Sequence, residues 1–260
     1  MPLIVWIILF CLLGGLLSVL AAALFLVLKE SLRNHLLPHL VSFATGALLG
    51  AAFLGLLPHA LASVNSTDTH VIPMAVLLGL LGFFLLEKLV LWRHCHADHC
   101  EVHAPDAKSR DHSTGTMILV GDSLHNFLDG ILITGAFLTD FHLGVVTSVA
   151  VAAHEIPQEV GDFAVLLHSG FSTGKAFLFN MLSSLATVVG AVLAYYAFKD
   201  LEPVLPYVLA IAASSFIYVA VADLIPGLHK RVEFSATVKQ MLLISSGVVL
   251  IYLTHATLHT

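Results

Sequence analysis

Hydrophobic residues along this chain form long, nearly continuous runs that are separated by short polar segments. A helix needs about 20 residues to cross a bilayer core of about 30 Å. The runs do not alternate with polar residues as the strands of a membrane barrel do, so they predict helices. Eight runs reach the required length: Leu3–Leu28, Leu36–Ala62, Pro73–Trp92, Gly115–Leu138, Leu143–Leu167, Lys175–Phe198, Val204–Leu228 and Ala236–Leu258.

The composition supports an integral membrane protein. Hydrophobic residues make up 58% of the 260 residues and charged residues only 11%, against about 25% charged in ordinary soluble domains. We therefore predict one all-α transmembrane domain over residues 1–260 that is surrounded by membrane lipid. The first apolar run is too long for a signal peptide and is predicted to be an uncleaved helix. No basic run indicates nucleic-acid binding.

The basic residues predict the orientation. The side that holds most of them should be cytoplasmic, which places both termini outside; the short outer loops then favour a bacterial inner membrane. Lys199 is alone on the other side. Ten of the eleven basic residues fall on the predicted cytoplasmic side: Lys29, Arg33, Lys88, Arg93, Lys108, Arg110, Lys175, Lys230, Arg231 and Lys239.

The third loop, residues 93–114, is rich in histidine and cysteine. Thiolate and imidazole are good zinc ligands, so we predict an accessory metal site here. The spacing matches no zinc finger, which favours a weak site, and the alternative is a solvated loop without metal. The predicted accessory ligands are His94, Cys95, His96, His99, Cys100 and His103.

The fourth and fifth helices carry ionisable residues at membrane depth, where such groups by default mark a site or a pathway. At about 100° per residue, each set occupies one face of its helix. Only a few residues join the two helices, so the faces are predicted to meet. Asp122 alone is predicted to make an ordinary hydrogen bond between helices. The predicted metal-binding residues are His125, Asn126, Asp129, His154, Glu155, Gln158, Glu159 and Asp162.

Imidazole, carboxylate and amide oxygen together are ligands for zinc and related divalent ions, and carboxylates also neutralise the ion's charge. The acids outnumber what one tetrahedral site needs, which favours two neighbouring sites. The set contains no thiolate, and this suits a site that must release its ion. Zinc is the predicted ion; cadmium, iron and manganese are the alternatives.

Two motifs resemble the paired signatures of the ZIP (Zrt/Irt-like protein) metal transporters, in the branch with a histidine–glutamate–x–proline motif. They begin at His125 (HNFLDG) and at His154 (HEIPQEVGDF). Shorter likenesses begin at Ser42 (SFATGA), Phe83 (FFLLEK) and Phe216 (FIYVA). The resemblance implies eight helices, outward termini, a histidine-bearing cytoplasmic loop and a two-metal site between the fourth and fifth helices. It also implies metal uptake, by a helix block that slides against a scaffold.

The chain departs from this branch in three helices. Gln158 stands where a second histidine is common, and Ala51 and Gly55 stand where an acid and a histidine are common. In the sixth helix, where some relatives have an acid, the polar groups are Asn180, Ser183 and Ser184. These differences predict a site built almost wholly from two helices.

Two other functions fit parts of the pattern. An intramembrane metalloprotease would have His-Glu-x-x-His on a helix, but here Gln158 replaces the second histidine. A membrane metal sensor would bind metal without transporting it. A homodimer is left open. The similar ends of the second and seventh helices, around Pro58 and Pro226, are a faint sign of an inverted repeat.

Overall fold

A computed structural model describes residues 1–63, 69–94 and 112–258. Every regular element in these ranges is helical, which confirms the predicted all-α class. The polar first turn of the second helix begins at Glu30, earlier than predicted, because hydrophobicity marks only the part that meets lipid. The helices are α1 (Leu3–Val27), α2 (Glu30–Ser63), α3 (Val71–His94), α4 (His112–Thr139), α5 (Phe141–His168), α6 (Thr173–Phe198), α7 (Glu202–Leu228) and α8 (Phe234–Leu258).

Seven of these helices are long and apolar enough to cross a membrane, and α5 is the exception. It has 28 residues, which is sufficient length, but the polar stretch that begins at His154 lowers its hydropathy. α5 packs against α1, α2, α4 and α6. Because its neighbours surround it, α5 can carry polar residues at membrane depth without exposing them to lipid.

The helices pack as two groups. In the first group, α1 packs on α5 and α6, and α4 packs on α5 and α6. In the second group, α2 packs on α8 and on α7, and α3 packs on α7. The groups meet where α2 contacts α5 and where α4 contacts α7. We call them the α4–α5 bundle and the α2–α7 bundle.

Glycines permit the closest helix contacts. A Cβ at Gly130 of α4 would collide with the backbone of Thr187 in α6, and a Cβ at Gly190 of α6 would collide with the backbone of Phe127. Small residues at such positions are typical of membrane helix pairs. At Gly161 of α5, by contrast, nothing lies within 4 Å of a Cβ.

α2 and α7 share an uncommon distortion. Each contains a six-residue π-helical turn, Ala51–Leu56 in α2 and Val219–Leu224 in α7. At the end of these turns the N–H of Leu57 donates to the Ala52 carbonyl and the N–H of Ile225 to the Ala220 carbonyl. A proline follows at the next position in each case. Its ring collides with the preceding turn of a regular α-helix, and widening the helix relieves that collision.

Candidate metal centre

A sharp turn sets α4 beside α5. Asp140 is the single residue between them, and its side chain accepts a hydrogen bond of 2.9 Å from the backbone N–H of Leu143. This bond satisfies one of the free N–H groups in the first turn of α5. The two helices therefore pack side by side from this turn onward, and their polar faces meet as predicted.

Four of the predicted residues converge at this junction. His125 and Asp129 of α4, with His154 and Glu155 of α5, each offer a ligand atom, and all four atoms lie within 4.8 Å of one another. The two Nε2 atoms of His125 and His154 are 3.1 Å apart. The His154 Nε2 lies 3.4 Å from Asp129 Oδ2 and 3.8 Å from Glu155 Oε1. We call these residues the central cluster.

The spacing in the central cluster suits one metal ion. Tetrahedral ligands about 2.0–2.1 Å from zinc lie roughly 3.3–3.4 Å from one another, and the nitrogen and oxygen distances bracket that value. His125 Nε2 lies 3.7 Å from Asp129 Oδ2 and 3.6 Å from Glu155 Oε1. Two imidazoles and two carboxylates form a donor set typical of a divalent ion and leave no excess charge.

Burial of the carboxylates strengthens this interpretation. Asp129 and Glu155 are both 1% exposed, and Asp129 Oδ2 and both Glu155 carboxylate oxygens have no hydrogen-bond partner. A buried charge without a partner costs several kcal/mol. A bound cation would satisfy these oxygens.

His154 is held in an orientation that suits ligation. Its Nδ1 lies 3.2 Å from the Ala150 carbonyl oxygen, which makes a hydrogen bond when Nδ1 carries the proton. That tautomer leaves the lone pair of Nε2 directed into the cluster. The His125 side chain is 22% exposed, so it lies on the open side of the cluster.

Asn126 lies beside the cluster in a hydrogen-bond network with α6. Its amide donates to Asp122 Oδ1 at 2.9 Å, and its carbonyl oxygen accepts from Thr187 Oγ1 at 2.9 Å. The Ser183 hydroxyl donates to the other oxygen of Asp122. Asp122 therefore accepts a hydrogen bond between helices, as predicted. The role of Asn126 as a metal ligand stays a prediction.

The remaining predicted residues have separate positions. Gln158 and Asp162 line a cavity of about 540 Å³ together with Asp122 and His125. Glu159 is fully buried, and neither of its carboxylate oxygens has a partner. His94 is the last residue of α3. The other accessory residues, Cys95, His96, His99, Cys100 and His103, lie outside the described residues.

Three residues of the α2–α7 bundle line cavities that reach His125. They were not among the predicted ligands. Glu87 and Asp223 line the 540 Å³ cavity opposite Gln158. Tyr218 donates a hydrogen bond to Glu87, and all three residues line a second cavity of about 210 Å³ that reaches His125. The signal available in the sequence was an acid inside an apolar run, at Glu87 and again at Asp223.

The fold and the central cluster define a class: an all-α, multi-pass integral membrane protein with a buried cluster of potential divalent-metal ligands between two helices. Comparison with known proteins gives the family. The sequence model described as ZIP Zinc transporter matches residues 2–116 and 93–255. The chain belongs to the ZIP zinc transporter family.

Individual relatives agree with this assignment. The chain is 31% identical over 231 residues to zinc transporter ZIP13 of Pongo abelii, which covers 84% of this chain and 66% of that protein. It is 29% identical over 275 residues to zinc transporter zipt-7.2 of Caenorhabditis elegans, covering 86% and 59% respectively. Human zinc transporter ZIP4 is 30% identical over 259 residues, covering 77% and 40%. The chain thus spans less than two thirds of the length of these three relatives.

Proposed function

We propose that this protein transports zinc, or a closely related divalent ion, across a membrane into the cytoplasm. The observation that carries the proposal is the convergence of four ligand atoms from His125, Asp129, His154 and Glu155 within 4.8 Å. The relatives are named as zinc transporters, which favours zinc as the ion. Both termini then lie on the outer face, and the basic loops lie in the cytoplasm.

A second ion would bind next to the first, toward Glu159. Glu155 and Glu159 are four residues apart, so they lie on one face of α5. All four of their carboxylate oxygens lack partners, although one ion in the central cluster needs only one oxygen of Glu155. Glu155 would bridge the two ions, and Gln158, Asp162 and Asn126 would complete the second site.

Transport would use the separation into two bundles. The central cluster lies wholly on α4 and α5, whereas Glu87 and Asp223 across the cavities belong to the α2–α7 bundle. Movement of the α4–α5 bundle along the α2–α7 bundle would carry the ion past these acids without unfolding the site. The 540 Å³ cavity, which Glu87 and Asp223 line, would then receive the ion on the cytoplasmic side.

Zinc flux into liposomes that contain the purified protein and enclose a zinc-sensitive dye tests the proposal. Replacing His154 by Ala removes a central ligand and should abolish saturable zinc flux. His168→Ala is the matched control: this histidine lies on the same helix and its Nδ1 also faces the carbonyl four residues earlier, at 3.2 Å, but it is exposed. We expect the control to retain normal flux.

The same liposomes separate the alternatives. Near-normal flux in the His154→Ala protein would show that the central cluster is not the transport site. Zinc binding by the unaltered protein without flux would indicate a sensor instead of a carrier. Cleavage of a membrane peptide that depends on Glu155 would indicate a protease.

A further inference from the structure

The turn between α7 and α8 is attached to the start of α2. The Arg231 guanidinium donates a hydrogen bond of 2.8 Å from Nη2 to the Asn34 carbonyl oxygen. Beside this bond lies a cavity of about 190 Å³, between α2 and the first turns of α8. His35 and His39 of α2 line one wall, and Arg231 and Lys239 line the other.

The cations of this cavity have no carboxylate partner among the residues that the structure describes. Among the described residues, the one ion pair of a Lys or Arg within 4.0 Å joins Lys199 and Asp200. These two residues lie between α6 and α7 and do not line the cavity. Glu233 also lines the cavity, but it pairs with neither Arg231 nor Lys239. Two permanent cations therefore face one carboxylate, and the excess positive charge equals the single negative charge of a phosphodiester.

The cavity is not a second metal centre. Among the described residues, the central cluster is the group whose ligand atoms lie close enough together to hold a metal. His35, His39 and Glu233 do not belong to it. His39 Nδ1 lies 2.6 Å from the His35 carbonyl oxygen, so one of its ring nitrogens is already engaged. The charge and the donors of this cavity suit an anion.

An apolar cleft continues from the basic cavity. The cleft has a volume of about 440 Å³, and Arg231 and Gln240 line both spaces. Leu228, Met241 and Ile244 supply apolar walls. Nearby side chains project outward: Val232 is 89% exposed and Phe234 is 84% exposed. A headgroup cavity joined to an apolar cleft matches a lipid, whereas a free phosphate would use only the first space.

We propose that an anionic phospholipid binds here, with its phosphodiester between Arg231 and Lys239 and an acyl chain along Leu228, Met241 and Ile244. The choice of lipid rests on the orientation proposed above, which places the cavity at the cytoplasmic leaflet, where basic pockets between membrane helices are suited to anionic headgroups. The site lies on α2, α7 and α8, away from the central cluster, so lipid binding does not depend on metal.

Native mass spectrometry of the purified full chain, titrated with phosphatidylglycerol or phosphatidylcholine, tests this site. We compare the Arg231→Gln/Lys239→Gln protein with a Lys29→Gln/Lys175→Gln control, which loses the same charge from the same end of the molecule. Each cation removed should weaken phosphatidylglycerol binding about five-fold, or roughly 25-fold for both. The control should bind like the unaltered protein.

Two further variants separate the headgroup from the chain. Lys239→Gln alone makes no change to the Arg231–Asn34 bond, so it tests the charge if the double variant fails to fold. Met241→Trp fills the apolar cleft and should reduce phosphatidylglycerol binding while leaving the basic cavity intact.

Several results would overturn the proposal. Equal retention of the two lipids by the unaltered protein would exclude a specific anionic site. Equal losses of phosphatidylglycerol binding in the Arg231/Lys239 variant and the Lys29/Lys175 control would show that net charge, and not this cavity, causes the effect. If millimolar inorganic phosphate displaced the lipid and Met241→Trp had no effect, the cavity would be a phosphate site.

Discussion

Gln158 lies one turn beyond His154 on α5 and lines the cavity that His125 also lines. An amide oxygen is a poorer zinc ligand than imidazole, and it accepts hard ions such as manganese comparatively well. Position 158 is therefore suited to adjusting selectivity without disturbing the four residues of the central cluster.

Replacing Gln158 by His should tighten zinc binding, because a borderline-soft nitrogen ligand replaces an oxygen. We expect a decrease in the zinc dissociation constant on the order of ten-fold, which corresponds to about 1.4 kcal/mol, and little change for manganese. Calorimetric titration with both ions measures this. Ser246→His on α8, at an exposed position, is the control, and an unchanged zinc affinity in Gln158→His would mean that position 158 does not contact the ion.

Among the helix pairs, the contact between α4 and α6 holds in place the face of α4 that carries His125 and Asp129. Gly130 and Gly190 let the two backbones approach, and Thr187 and Ser183 of α6 can then reach Asn126 and Asp122. α6 therefore contributes hydrogen bonds to residues beside the cluster, although it supplies no acid.

Gly130→Ala should destabilise the protein, because the added methyl group would collide with the Thr187 backbone. Overpacking of this kind costs about 1–3 kcal/mol, and the thermal unfolding temperature in detergent should fall. Gly161→Ala is the control: its methyl group meets nothing within 4 Å, and alanine favours the helix by up to about 1 kcal/mol. Equal unfolding temperatures in the two variants would contradict the role given to Gly130.

The two bundles touch where Gly55 of α2 faces α5. A Cβ at Gly55 of α2 would lie 3.3 Å from Leu143 Cδ1 and 3.7 Å from Val146 Cγ1, both of α5. Sliding of one bundle along the other requires that no large side chain interlocks there.

Gly55→Leu should therefore slow zinc flux and leave zinc affinity unchanged, since the wedge obstructs movement and not the ligands. Liposome flux and calorimetry on the same preparation measure both quantities. Gly82→Leu on α3 serves as the control, because nothing lies within 4 Å of a Cβ there. Normal flux in Gly55→Leu would argue against sliding at this contact.

The predicted cytoplasmic loop should adjust transport without being part of the path. Replacing His94, His96, His99 and His103 by serine removes ligands outside the hydrocarbon region, where an ion in transit needs no further ligand. We expect measurable flux with a changed apparent affinity for zinc. Complete loss of flux with normal expression would show that the loop is obligatory.

The sequence alone is enough to predict the helices and the residues of the central cluster. A bilayer leaves the backbone no partner except itself, so apolar runs of sufficient length must be helical. The local spacing from His125 to Asp129, and the adjacency of His154 and Glu155, put the ligands on single faces of α4 and α5. Only a few residues join the two helices in the predicted arrangement, so these faces are expected to meet.

The contacts between distant helices follow from the packing of the folded protein and not from the local sequence. Thr187 reaches Asn126 across 61 residues of sequence, and Tyr218 reaches Glu87 across 131. Gly130 is crowded and Gly161 is open, yet both are glycines on neighbouring polar helices. The physical reason is that periodicity specifies which face of a helix is polar or small, whereas the packing of the entire bundle decides which neighbour that face meets and at what height.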